Sequence, residues 1–191
     1  KYSFKITSET EVVTQHITID YSPVSTNTEL KPTKFNAVLK THDSKLYSWG
    51  TPTTYYLGHI STDYKTKNLV DTSNFETGEF VKTIFESSFA YRGIFVLTNM
   101  NNLYRFGLQQ YRELGGSSNN MAFYKLEKYE LPKQINGANI IEVHQASSMT
   151  VVLLNNGTVF SMGNGTYTYN SQPTTHILYQ VNPSYFNYEK I

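Results

Sequence analysis

Three segments of this chain can be laid over one another without a gap: Val38 to Gly50, Phe95 to Gly107 and Val151 to Gly163. Each is an apolar run, a polar turn, a second apolar run and a glycine. They close on Leu46-Tyr47-Ser48-Trp49-Gly50, Leu103-Tyr104-Arg105-Phe106-Gly107 and Val159-Phe160-Ser161-Met162-Gly163, with the glycines 57 and then 56 residues apart. A fixed period of this size is the signature of a repeat architecture, in which one supersecondary unit is stacked on copies of itself. Such folds usually act as scaffolds for binding.

Each copy reads as a β-hairpin. Two strand-like runs flank Asn155-Asn156-Gly157 in the third copy, and Asn-Gly is the signal for a type I′ turn. His42-Asp43-Ser44 and Asn99-Met100-Asn101-Asn102 hold the equivalent positions. Alternation along the second strand puts Leu46/Ser48, Leu103/Arg105 and Val159/Ser161 on one side and Tyr47/Trp49, Tyr104/Phe106 and Phe160/Met162 on the other. The second side is large and apolar throughout, so it should pack against a neighbouring sheet, with Trp49, Phe106 and Met162 in equivalent buried positions.

Further strands complete each unit. Ile140 to Val143 reads as a strand before the third hairpin, and Phe80 to Phe85 takes that part in the second copy. Leu131 to Ile135 lies earlier still, with Pro132 suited to an edge or a strand start. Met121 to Leu131 reads as a strand or as a short helix, since Ala122, Leu126 and Tyr129 fall near one helical face. About four short strands per unit is the content of a propeller blade. The fold class is therefore all-β: blades of about four antiparallel strands, in a partial propeller of three to four blades. Residues 28–83, 84–139 and 140–191 form the three repeats. Residues 1–27 form lead-in strands or the end of a preceding blade.

These residues resemble the regulator of chromosome condensation repeat family, whose members are β-propellers, usually of seven blades. The family repeat runs through an alanine-leucine-threonine strand, a glycine turn, a valine-tyrosine-x-tryptophan-glycine strand and a leucine-glycine pair. Here Val96-Leu97-Thr98 matches the first element and Gly157 the turn. Trp49-Gly50 is followed after six residues by Leu57-Gly58, and Phe106-Gly107 after six by Leu114-Gly115. The third copy has Asn170-Ser171 there, and the family's histidine falls on Asn36, Gly93 and Met149. The resemblance implies either a protein-interaction module or guanine-nucleotide exchange on a small GTPase. The inserted wedge and acidic loop residues of family exchange factors are not found here. A secreted binder or inhibitor is the third use of such a propeller.

Composition narrows the classes. With 39% hydrophobic and 15% aromatic residues the chain is too apolar for disorder. Sixteen basic against 15 acidic residues give no electrostatic case for nucleic acid. No stretch approaches the ~20 apolar residues of a membrane-spanning helix. There is no cysteine, which fits intracellular and extracellular settings alike. The start at Lys1, without methionine, suggests a processed product or a fragment. About 3.4 units of this period fit in 191 residues, fewer than closed rings of about 4 to 8 blades need. Phe4 and Ile6 at one end and Ile177, Leu178 and Val181 at the other should then meet another polypeptide or the remaining blades.

Catalytic chemistry is not evident. None of His16, His42, His59, His144 and His176 has metal-ligand spacing, and Glu142 with His144 is a pair on one strand face. No cofactor motif is present, and the reading is non-catalytic. The candidate binding residues are Tyr55, Tyr56, Tyr111, Arg112, Tyr167 and Tyr169 in the loops after the closing glycines. They form a ring of aromatic anchors on one propeller face or pack their own loops. Asn156-Gly157-Thr158 and Asn164-Gly165-Thr166 match the N-glycosylation tripeptide, though a hairpin turn also calls for Asn-Gly.

Overall fold

The computed structural model describes residues 4–7, 12–15, 27–32, 36–50, 57–59, 63, 65–86, 93–135, 137–146, 148–164 and 175–186. Strands β1 (Phe4–Thr7) and β2 (Val12–Gln15) pair as an antiparallel hairpin. Twelve further strands form three four-stranded antiparallel sheets. The first holds β3 (Glu29–Pro32), β4 (Asn36–Lys40), β5 (Leu46–Gly50) and β6 (Asn68–Leu69). The second holds β7 (Val81–Glu86), β8 (Ile94–Thr98), β9 (Leu103–Leu108) and β10 (Ala122–Tyr129). The third holds β11 (Ile140–Gln145), β12 (Met149–Leu154), β13 (Val159–Gly163) and β14 (Thr175–Gln180). In each sheet the strands follow chain order, the up-and-down meander of a propeller blade.

The three central hairpins are equivalent down to single hydrogen bonds. Ser44, Asn101 and Gly157 donate their N–H to Thr41, Thr98 and Leu154 in turn. The same three residues sit in the left-handed region, at φ of 61°, 62° and 81°. Asn156 is not left-handed, so the expected type I′ turn is replaced. The loop is one residue longer, the form in which a type I turn is followed by a left-handed residue. That form needs one unusual φ rather than two, which is why Ser44 can serve.

Packing between sheets repeats as well. Val38 and Leu46 of the first sheet meet Ile84, Ile94, Val96, Tyr104 and Phe106 of the second in one core. Phe95, Leu97, Leu103 and Phe123 of the second meet Val143, Val152, Phe160 and Met162 of the third in another. Each sheet thus lays its Leu46-type side on the Tyr47-type side of the next. Phe106 and Met162 are 0% exposed, as expected. Trp49 is half-buried and belongs to neither core, a correction to the expected equivalence. Its side of the first sheet is the one that would face a preceding blade.

Other expectations change too. Residues 122–129 form a strand, not a helix. A bulge between Phe123 and Glu127 buries Phe123, Leu126 and Tyr129, every third residue, and so imitates helical spacing. Residues 133–135 form a 3-10 turn, and the fourth strand of each sheet follows the closing glycine instead of preceding the hairpin. Leu178 and Val181 are buried within the chain, Leu178 in the second core, so they do not await an outside partner. Ile177 is exposed. The side chains of Phe4 and Ile6 lie outside the described residues.

Candidate binding face

Antiparallel order gathers the chemistry at one end of the sheets. The first and third strands of a blade run the same way, so Glu86 and Gln145, the last residues of β7 and β11, share an end with the closing glycines and the loops that follow them. Of the predicted anchors, Tyr111 and Arg112 lie in the loop between β9 and β10, and both are half-buried. Tyr55, Tyr56, Tyr167 and Tyr169 lie outside the described residues.

That loop is held from beneath. The buried Glu113 carboxylate accepts the N–H of Gln110 at 2.8 Å and of Tyr111 at 2.6 Å. Its carbonyl accepts the Thr150 hydroxyl of the third sheet at 2.5 Å. Buried Gln109 accepts the Gly116 N–H and donates to the Ser118 carbonyl. Arg112 turns the chain with φ at 66°. Desolvation pushes the Glu113 carboxyl above its usual range, and the backbone N–H bonds only partly oppose it.

The leucine-glycine pairs have a defined role. Leu57 and Leu114 are buried, and their carbonyls are taken by the residue between the aromatic positions of the preceding strand. Ser48 Oγ donates to Leu57 at 2.5 Å, and Arg105 Nη1 to Leu114 at 2.6 Å. The Arg105 guanidinium also lies 4.1 Å from the Phe123 ring centre and 5.1 Å from that of Tyr129. The glycines allow close approach: a Cβ on Gly58 would lie 2.9 Å from the Phe106 ring, and one on Gly115 would strike Tyr129 and Arg105. Both have positive φ, so a side chain is excluded by backbone and by space. His59, next in that loop, is buried, and desolvation holds its imidazole below the usual value.

An open recess of about 420 Å³ lies where the innermost strands of the three sheets converge, lined by residues that include Lys31, Glu86, His144 and Gln145. Burial raises the Glu86 carboxyl, opposed in part by Lys31. Glu86 Oε2 has no hydrogen-bond partner among the described residues. His144 leans on Glu142 at 2.9 Å on an exposed strand face. Lys31 and Glu86 were not singled out by sequence reasoning. The repeat register could have found them, since position 31 matches 85 and 144, and 86 matches 145. Among the described residues no group of three His, Cys, Asp or Glu is placed to hold a metal ion, and no helix is long and apolar enough to cross a membrane.

No protein-family model matches the chain, and no curated protein matches it. Solved structures do. Human WBSCR16 aligns over 97% of this chain and 46% of its own, with a TM-score of 0.69 at 12% identity. Yeast RCC1 (Prp20), in its complex with Kap60, aligns over 90% of this chain and 40% of its own, with a TM-score of 0.61 at 17% identity. Prp20p of Saccharomyces cerevisiae, from work on its binding to Gsp1p and histones, aligns over 90% and 41%, with a TM-score of 0.61 at 18% identity. The chain thus spans less than half the length of each. With three four-stranded meanders, repeated turns and one recurrent sheet-on-sheet packing, this chain has the fold of RCC1-type β-propeller blades.

Proposed function

We propose that the chain is a protein-binding module that engages its partner through the loop end of its blades, with Tyr111 and Arg112 as anchors. The observation that carries this reading is the buried Glu113 clamp, which fixes the backbone of that loop before any partner arrives. A preorganised loop spares the ordering cost of association, and Tyr and Arg are the residue types on which binding energy concentrates. Tyr55, Tyr56, Tyr167 and Tyr169 follow the other closing glycines in sequence. The test is affinity capture with the wild-type chain and a Tyr111→Ala/Arg112→Ala variant of matched thermal stability. A partner held by the wild type and lost by the variant supports the reading; equal capture by both would sink it.

A second reading is nucleotide exchange on a small GTPase, favoured by the fold shared with yeast RCC1, whose structure was studied with its binding to Gsp1p. Release of labelled GDP from a panel of small GTPases decides it. No acceleration with any member would exclude it.

A further inference from the structure

The recess where the innermost strands converge is built in levels. Strand register puts Lys31, Phe85 and His144 at one level, one from each sheet, and Glu86 and Gln145 at the next. Inner strands line the central channel of a propeller, so these residues stay on that channel whatever number of blades surrounds it.

The charges at the two levels differ in how they are met. His144 is engaged by Glu142 at 2.9 Å. Gln145, 3% exposed, holds the Glu86 position in the third sheet with a neutral amide, so that level carries one carboxylate and not two. Lys31 and Glu86 have no ion pair and no side-chain hydrogen bond among the described residues. Glu86 Oε2 is covered by protein without a partner, and a carboxylate so placed costs free energy until a donor or a cation meets it. Lys31 is near enough to oppose the effect of burial on the Glu86 carboxyl, yet the two are not joined as an ion pair. A cation and an anion thus face one recess with a gap between them.

The recess, at about 420 Å³, has room for a small molecule. Phe85 and Val151, both half-buried, give its wall an apolar part. A ligand with only a positive group would be repelled by Lys31, and one with only a negative group by Glu86. A molecule carrying both groups answers both residues. We propose that this recess binds a small zwitterion with an apolar side chain, an amino acid or a short apolar peptide, whose ammonium donates to Glu86 and whose carboxylate accepts from Lys31. The inference goes beyond the protein-binding reading and does not depend on what meets Tyr111 or Arg112.

Isothermal titration calorimetry at neutral pH is the test, with L-leucine and leucyl-leucine as probes. Saturable heat with either supports the proposal, and the probe that binds tells a free amino acid from a peptide. The methyl ester of that probe lacks the negative charge, and its N-acetyl derivative lacks the positive one. Each is expected to bind at least about tenfold more weakly than its parent, since each forfeits a charge-assisted hydrogen bond. Glu86→Gln and Lys31→Met should each weaken the parent by a similar factor, and Lys31→Met should make the parent and its methyl ester bind alike. No saturable heat from either probe would overturn the proposal, as would an ester or N-acetyl derivative that binds as well as its parent. Both results come from the wild-type protein and need no variant.

Discussion

Phe106 and Trp49 occupy the same position in successive repeats, yet their truncation should cost different amounts. Phe106 is fully buried between the first and second sheets, with Gly58 pressed against its ring. Its replacement by alanine removes the transfer energy of the ring and leaves a closed cavity, together about 3–5 kcal/mol. Trp49 is half-buried on a side that belongs to neither core. The gap left by its truncation opens to water, so the cavity contribution vanishes and about 1.5–3 kcal/mol of transfer energy remains. For a chain of this size each kcal/mol moves Tm by roughly 2–4 °C, so Phe106→Ala should lower it by roughly 6–20 °C. Urea unfolding followed by circular dichroism measures both variants, because Trp49 is the only tryptophan and fluorescence would be lost with it. An unchanged m-value shows that the surface exposed on unfolding is the same. A Trp49→Ala loss equal to or greater than that of Phe106→Ala would refute the assignment of the two sides.

Other outcomes follow from the polar contacts. The Lys40 ammonium is fully buried, donating to Asn27 and to Glu29; Glu29→Gln weakens that ion pair and should cost more than Lys40→Met, after which partly exposed Glu29 keeps Thr83 and Ile84. Urea melts of the pair decide, and the reverse order would be evidence against this account. Gly115→Ala should destabilise more than Gly157→Ala, since both have positive φ but only Gly115 also lacks room for a methyl group; Tm values of the two variants check this. Glu79 supplies a pH dependence. Desolvation raises its carboxyl, but bonds from Thr98, the Glu76 N–H, Asn102 and Tyr104 outweigh that and leave it below the usual range. A depressed folded-state value means stability present above the unfolded value near 4.5 and lost as pH falls through the folded one. Melts between neutral and acid pH should therefore show a smaller acid loss in Glu79→Gln than in the wild type.

Much of the blade was legible because its hairpins are local. Val151 to Gly163 carries strand, turn and strand within one window, and the left-handed position falls on Ser44, Asn101 and Gly157 as the alignment places it. What local pattern could not supply was the neighbour. Alternation separates Tyr47 and Trp49 from Leu46 and Ser48, but which side has a sheet against it depends on the order of blades, and Trp49 shows the difference. The β10 bulge spaced Phe123, Leu126 and Tyr129 as a helix would, so periodicity alone could not reject the helix. Tyr111 and Arg112 were candidates because they follow a repeat glycine. The Glu86–Lys31 recess was not, since its residues are far apart in sequence and adjacent only through three converging strands.

The carbonyl contacts made by Ser48 and Arg105 bear on how such a repeat can drift. Leu57 and Leu114 need a hydrogen-bond donor at one point in space, and a short hydroxyl or a long guanidinium can deliver it. The constraint is on a proton's position, not on a side chain's identity. Substitution can therefore wander widely at such a site while the backbone sees no change, and the choice of donor rewrites what surrounds it: Arg105 brings the rings of Phe123 and Tyr129 with it. Letter by letter, serine and arginine are unlike residues. As shapes that deliver one proton to one carbonyl they are interchangeable, and a blade can keep its form long after its spelling has gone.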